Sequence, residues 1–202
     1  MMGRGLMSRL SHLPPDAWPE ELRLFVQADT ATNLELGITR MLAHSPASAM
    51  GALQFGAALA SNRTLPERLI ELLRIRIAFH NQCRSCLAIR YQSAVGTVSE
   101  DTLCSLDQPP ETIDLSPEEE LALALGDRFA CNHLSIDEAF FDQLKATFTE
   151  AQVMELLLHC ALFVGMGRLA AVLDMVEELP KGFAKPYGTV VGPGADVPVT
   201  VR

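Results

Sequence analysis

The chain has 202 residues, of which 49% are hydrophobic but only 6% aromatic, and its formal net charge is −9. This length supports one domain with a sizeable core, and the aliphatic composition favours packed helices. The negative charge repels phosphate backbones and anionic lipids, so we expect neither a nucleic-acid partner nor a membrane partner.

Residues 1–19 are predicted to form an extended N-terminal segment. Met1–Leu10 has no sustained apolar run and contains two arginines, which is not the pattern of a secretory leader or a spanning helix. His12–Pro19 contains three prolines, with Trp18 as an apolar anchor. The odd number of cysteines, five, argues against a disulfide framework, and we expect a cytoplasmic protein.

A helical domain is predicted over residues 20–180. Its first helices are expected at Glu20–Ala28 and Asn33–Ala43, where apolar residues recur with helical spacing. Ser45 followed by Pro46 predicts the start of a third helix that runs to about residue 60. This helix is rich in alanine and glycine, so we expect it to pack closely against another helix, in this chain or in a second subunit.

The stretch Pro66–Gly96 contains the closely spaced cysteines. A first helix is predicted at its start and carries Glu71, twelve residues before Cys83. A second helix is predicted to begin near Cys83, with Cys86 three residues later and Arg90 a further four residues on. This spacing places both thiols and Arg90 on one helix face.

Such a placement favours redox chemistry. Free N–H groups at a helix N-terminus stabilise a thiolate, and Arg84 and Arg90 are expected to act in the same direction. Glu71 is a candidate to accept or relay the proton that a thiol loses before it attacks. Arg90 is expected to contact the Cys86 thiolate or to pair with Glu71, the alternative being a solvated helix residue.

The cysteine pair could instead belong to a metal or haem site. Zinc needs two more ligands, and the available residues match no zinc pattern: His80, Cys131 and His133. Covalent haem is excluded because Leu87, not histidine, follows Cys86. We therefore expect no metal and no bound cofactor.

The other cysteines and histidines carry no pattern of their own. Three cysteines lie in apolar helical patterns and are expected to be small core residues: Cys104, Cys131 and Cys160. Three histidines are expected to be satisfied core or surface residues: His80, His133 and His159.

Residues 97–180 are predicted to be helical apart from a linker at Gln108–Leu115. Helix starts are predicted at polar residues with N-cap character: Thr97 or Ser99, Ser116, Ser135, and Thr149 with Gln152. The apolar helix after Thr149 is long enough to span a bilayer, but polar residues interrupt it, so we expect it to be buried or oligomer-facing. Residues 181–202 are predicted to form an extended tail.

Glu71, Cys83 and Cys86 resemble the motif Glu-x11-Cys-x2-Cys-x3-His of alkylhydroperoxidase D-like proteins in the carboxymuconolactone decarboxylase family. The likeness extends over about residues 45–179. It implies an all-α, single-domain helical bundle that assembles as a homo-oligomer. It also implies that Cys86 is the peroxidatic thiol, that Cys83 resolves it, and that Glu71 belongs to the proton relay. Arg90 stands where the family has histidine, and Ser85 replaces another residue that is often histidine.

The predicted function is thiol oxidoreduction, with the following catalytic residues: Cys86, Cys83, Glu71 and Arg90. The substrate would be a peroxide or another small molecule, or a disulfide in an exchange reaction, and an external dithiol would be the reductant. Two alternatives stay open. A decarboxylase acting on a lactone acid, as the broader family name implies, would leave the cysteine pair unexplained, and a helical oligomeric scaffold would catalyse neither reaction.

Overall fold

The computed structural model describes residues 8–202, so the first seven residues of the predicted extended segment 1–19 lie outside the described residues. The described part forms ten α-helices and two short β-strands. Their bounds are α1 Glu20–Phe25, α2 Asn33–Leu36, α3 Thr39–Leu42, α4 Pro46–Ser61, α5 Glu67–Asn81, α6 Arg84–Ala88, β1 Ile89–Tyr91, α7 Glu100–Cys104, α8 Pro117–Cys131, α9 Glu138–Thr147, α10 Glu150–Leu173 and β2 Val199–Val201. The predicted all-α class is confirmed.

Helix α5 is the centre of the core. Its aliphatic residues Leu72, Leu73, Ile75 and Ile77 are 0% exposed, and α8 and α10 pack along it. The helix begins after Pro66 and ends at Asn81, and its C-cap is Gln82, whose φ of 50° is left-handed. Because α5 is surrounded by other elements, three of its charged side chains are buried as well and need partners within the protein: Glu71, Arg74 and Arg76.

Several helix starts follow the sequence prediction. The capping boxes at Ser116 and Thr149 are both formed, and Ser99 caps α7. The start predicted at Ser135 is wrong, because the side chain of Asp137 accepts the N-terminal hydrogen bond of α9. Ser135 instead donates to the backbone carbonyl of Asn132 in the preceding turn.

The helix predicted over Asn33–Ala43 is divided into α2 and α3. Gly37 lies between them with φ of 41°, a conformation that glycine adopts readily and that ends α2. This break matters for the site, because Gly37 and the following Ile38 border the cavity described below.

The C-terminal tail is extended and packs on the helical domain. Strand β2 pairs in parallel with β1, so that Arg90 is opposite Thr200. Phe183 and Val191 are 0% and 3% exposed, which anchors the middle of the tail in the core. Gln82 also exchanges two hydrogen bonds with the backbone of Val191.

Helix α10 has the length and apolar composition of a membrane-spanning helix, but its inner face packs against α5 and α8. Leu156, Cys160 and His159 are buried on that face. Met154 and Val172, on other faces, are 55% and 51% exposed. Burial inside the chain thus accounts for only part of the apolar surface of α10.

Candidate functional site

Cys83 and Cys86 form a disulfide, with Cα atoms 5.2 Å apart. This pairing agrees with the redox role expected of the two thiols from the sequence. Cys83 is the N-cap of α6 and is 0% exposed, whereas Cys86 lies in the first turn and is partly exposed. The backbone N–H of Cys86 donates to the sulfur of Cys83 at 3.3 Å. The two thiols are thus unequal, because only Cys86 is open to a small reactant.

Cys86 borders a cavity of about 380 Å³, hereafter the Cys86 cavity. Its wall is largely apolar and includes Ile38, Leu53, Leu162, Phe163, Met166 and Met175. Three polar residues complete the wall: Arg74, Ser85 and Tyr91. This arrangement places one thiol at the edge of a space that suits an apolar molecule.

Arg74 connects the cysteine segment to the central helix. Its Nη1 donates to the backbone carbonyl of Cys86 and its Nη2 to that of Ile89, both at 2.9 Å. The same guanidinium makes a fork of hydrogen bonds at 2.7 and 2.6 Å with the two carboxylate oxygens of Glu71. Arg74 and Glu71 are 7% and 3% exposed.

The Glu71 carboxylate keeps Arg74 charged inside the core. Burial alone would lower the pKa of Arg74, but the attraction of Glu71 and its hydrogen bonds outweigh burial and raise the pKa. A fixed positive charge therefore lies against the backbone of Cys86. Arg74 was not among the predicted site residues, although its i+3 spacing from Glu71 was the available signal.

Glu71 does not border the Cys86 cavity. It borders a second cavity of about 430 Å³, hereafter the Glu71 cavity, and Arg74 and Tyr91 lie in the walls of both cavities. His159 is also in the wall of the Glu71 cavity and is 3% exposed. Its Nδ1 donates to the backbone carbonyl of Glu155 at 2.9 Å, which fixes the proton on that nitrogen.

The predicted position of Arg90 on the face of Cys86 is wrong. Helix α6 ends at Ala88, so Arg90 lies in β1, where successive side chains point to opposite sides. Ile89 and Tyr91 accordingly border the Cys86 cavity, and Arg90 does not.

Arg90 pairs with Glu100 rather than with Glu71. Its Nε and Nη2 donate to the Glu100 carboxylate at 2.9 and 3.0 Å, and its Nη1 donates to the backbone carbonyl of Leu87 at 2.9 Å. Arg90 is 5% exposed, so this side chain fastens β1 to α6 and α7. The expected contact with the thiolate or with Glu71 is replaced by these bonds.

Arg84 also has a partner other than the thiol. Its guanidinium lies 3.1 Å from the Asp174 carboxylate and donates to the backbone carbonyl of Lys185. These contacts tie α6 to the residues after α10. Arg84 and Arg90 were expected to place a positive charge beside the cysteines. In the structure, the cation hydrogen-bonded to the backbone of Cys86 is Arg74.

The three remaining cysteines are free thiols. Cys160 is buried as predicted, and burial raises its pKa to about 12. The prediction that Cys104 and Cys131 are core residues is wrong, since both are exposed. Each lies at the last residue of its helix, where the apolar pattern ends.

No protein-family model and no curated protein matches the chain. The structure is similar to a crystal structure described as an alkylhydroperoxidase AhpD core, an uncharacterized peroxidase-related protein from Ralstonia eutropha JMP134. The TM-score is 0.71 at 18% sequence identity, and the match covers 90% of this chain and 96% of that one. This likeness establishes the alkylhydroperoxidase D-like fold.

Proposed function

We propose that this protein is a thiol oxidoreductase of the alkylhydroperoxidase D-like type and that it reduces an organic hydroperoxide. The observation that carries the proposal is the unequal disulfide. Cys86 borders an apolar cavity, whereas Cys83 is 0% exposed and is joined to Cys86 by the disulfide. That inequality suits Cys86 as the attacking thiol and Cys83 as the resolving thiol.

The proposed catalytic cycle has three steps. The Cys86 thiolate attacks the terminal peroxide oxygen, the O–O bond breaks, and the alkoxide takes a proton and leaves as an alcohol. Cys86 is then a sulfenic acid, and the Cys83 thiol attacks its sulfur to form the disulfide and release water. An external dithiol restores both thiols by exchange, and it attacks at Cys86 because Cys83 is buried.

Arg74 stabilises the Cys86 thiolate in this proposal. Its guanidinium is held at the Cys86 carbonyl, and low solvent exposure weakens dielectric screening of its charge. Glu71 acts through Arg74, because both of its oxygens accept bonds from that guanidinium and it borders the other cavity. Glu71 is thus a positioning residue for Arg74.

Tyr91 is the proposed proton donor to the alkoxide. It is the residue with a phenolic O–H in the wall of the Cys86 cavity, and its ring lies 5.1 Å from the Arg74 guanidinium. This assignment replaces the histidine of the family motif, whose position is occupied by Arg90, a residue that faces away from the Cys86 cavity.

The apolar wall supports an organic substrate. Burial of roughly 100 Å² of hydrocarbon favours binding by about 2.5 kcal/mol, an advantage that hydrogen peroxide lacks. The substrate is therefore an organic hydroperoxide with an aliphatic or aromatic group, and the reductant is a small dithiol or a dithiol protein. Disulfide exchange with that partner uses the same two cysteines.

The active form is proposed to be a homo-oligomer in the cytoplasm. Large apolar side chains are exposed on the long helices: Phe55 on α4 at 38%, and Met154 and Val172 on α10 at 55% and 51%. A second copy of the chain would cover such faces. No nucleic-acid or membrane partner is included in the proposal.

The substrate assignment is tested with fully reduced protein. One equivalent of cumene hydroperoxide or of hydrogen peroxide is added, and disulfide formation is followed by mass spectrometry. We expect cumene hydroperoxide to react at least about tenfold faster. Met166→Gln, which makes the wall polar at similar volume, should slow the cumene reaction only. Equal rates with both peroxides would contradict the assignment, and absence of disulfide formation would contradict the peroxidase function itself.

A further inference from the structure

Cys131, His80 and Asp127 form a connected cluster outside the disulfide site. The sulfur of Cys131 lies 3.5 Å from Nδ1 of His80, and Nε2 of the same ring lies 2.6 Å from Oδ1 of Asp127. Asp127 and Cys131 are one turn apart on α8, and His80 faces them from the end of α5. Helix packing therefore brings together three residues that the sequence separates.

The hydrogen bonds assign the protons in this cluster. Because a carboxylate only accepts, Nε2 of His80 carries the proton that it donates to Asp127. Nδ1 then offers a lone pair toward Cys131, and it can take the thiol proton. Since the sulfur and the carboxylate lie at opposite nitrogens of one ring, they do not converge on a common metal position.

Asp127 is held as a carboxylate. Burial would raise its pKa, but hydrogen bonds from His80 and Arg76 outweigh burial and lower it. Arg76 donates to Asp127 at 2.6 and 3.0 Å, which fixes the carboxylate in position. The orientation of His80 therefore does not depend on solvent.

The thiol end of the cluster is open and lies near another cation. Cys131 is exposed at the end of α8, and Arg168 donates to the backbone carbonyl of Ala130, the residue before it. Arg168, and His80 once it has taken the thiol proton, would place positive charge near the Cys131 sulfur. Their charges also favour approach of an anionic reactant.

We propose that Cys131 is a second reactive thiol, activated by His80 and Asp127, and that it is modified by small anionic disulfides such as glutathione disulfide. His80 takes the thiol proton, and the Cys131 thiolate attacks one sulfur of the disulfide. The Cys131–S–S–R bond forms as the S–S bond of the reagent breaks. The departing thiolate receives the proton from His80, so the step needs no further oxidant.

Cys104 in the same chain is an internal reference for the reactivity of Cys131. Cys104 is also an exposed free thiol at a helix end, but burial and the neighbouring Glu100 raise its pKa. Cys160 is buried. With Cys83 and Cys86 in their disulfide, the reaction of Cys131 can be compared with that of Cys104 in one sample.

The test is the rate of glutathione addition at each cysteine at neutral pH. Oxidised protein is mixed with glutathione disulfide, and peptide mass mapping follows each adduct. We expect Cys131 to react at least about tenfold faster than Cys104, because Cys131 has a base within hydrogen-bond distance. His80→Gln should remove that advantage without changing Cys104, while His133→Gln, next to the cluster but outside it, should retain it.

Two results would overturn the proposal. The first is equal reaction of Cys131 and Cys104 in the natural protein, a comparison that needs no variant. The second is a folded His80→Gln protein whose Cys131 reacts at the original rate. The reactions of the natural protein and of the His80→Gln protein are repeated in denaturant. Cys131 should then react at the same rate in both proteins, which separates activation by the fold from an effect of the local sequence.

Discussion

The Nη1 atom of Arg74 donates to the backbone carbonyl of Cys86 at 2.9 Å. This bond joins the central helix to the reactive segment, and Glu71 holds the opposite side of the guanidinium. The Arg74 cation thus lies at the backbone of Cys86 and leaves the Cys86 sulfur free to react. In the proposed mechanism, Arg74 is therefore the residue on which thiol activation depends.

Replacement of Arg74 by Met is expected to lower both stability and thiol reactivity. It leaves the buried Glu71 without its charge partner, which costs about 3–5 kcal/mol in the free energy of unfolding. Arg74→Lys is the matched control, since it retains the charge but loses the planar fork. Denaturant unfolding and the alkylation rate of reduced Cys86 measure the two effects. A Met variant with unchanged alkylation would remove Arg74 from the activation mechanism.

Replacement of Arg90 by His is not expected to increase peroxide turnover. The side chain points away from the Cys86 cavity and bonds to Glu100 and Leu87. Loss of these bonds should lower stability by about 1–3 kcal/mol. Turnover and unfolding are measured on the same preparation. A gain approaching the roughly 10²-fold effect of a positioned acid would show that residue 90 reaches the reaction centre.

Replacement of Tyr91 by Phe is expected to slow hydroperoxide reduction by up to about 10²-fold, because the alkoxide loses its proton donor. Alkylation of Cys86 needs no such donor and should be unchanged. Tyr187→Phe is the matched control, since Tyr187 is the other of the chain's two tyrosines and lies outside the wall of the Cys86 cavity. Equal peroxide rates for the two variants would exclude the proton-donor role of Tyr91.

Replacement of Val172 by Glu is expected to weaken self-association, because Val172 is 51% exposed on the apolar surface of α10. Leu134→Glu is the control, since Leu134 is 82% exposed but lies in the turn between α8 and α9. Light scattering at micromolar concentration measures the assembly state. A natural protein that is monomeric, or a control that dissociates as readily as Val172→Glu, would contradict an interface on α10.

Local signals in the sequence predicted much of the fold. The capping boxes at Ser116 and Thr149 depend on residues three positions apart, and both are formed. The pairing of Cys83 with Cys86 likewise follows from short spacing within one turn. Such features are predictable because their physical causes lie within a few residues of chain.

The errors arose where the direction of the chain changes. Extending the helical period past Ala88 placed Arg90 beside Cys86, whereas pairing of β1 with the distant tail turns the Arg90 side chain away from Cys86 and toward Glu100. The single helix expected over Asn33–Ala43 overlooked the positive φ of Gly37. Both errors reflect tertiary contacts or turn geometry overriding a local periodic pattern.

The spacing of residues in the sequence did not predict which side chains meet between packed helices. His80 and Cys131 are 51 positions apart, yet their side chains meet where α5 packs on α8. His159 enters the wall of the Glu71 cavity from α10 in the same way. These residues could be recognised as part of a site only once the packing was known.

In the proposed mechanism, Cys86 attacks the peroxide and Cys83 resolves it. The most direct measurement uses reduced Cys83→Ser and Cys86→Ser proteins, treated with one equivalent of cumene hydroperoxide in the presence of dimedone, which traps sulfenic acids. We predict a dimedone adduct on Cys86 of the Cys83→Ser protein, with one equivalent of alcohol released. In the Cys86→Ser protein we predict no adduct on Cys83 and no release of alcohol. An adduct on Cys83 with none on Cys86 would reverse the roles, and no adduct and no alcohol in either protein would contradict the peroxidase account.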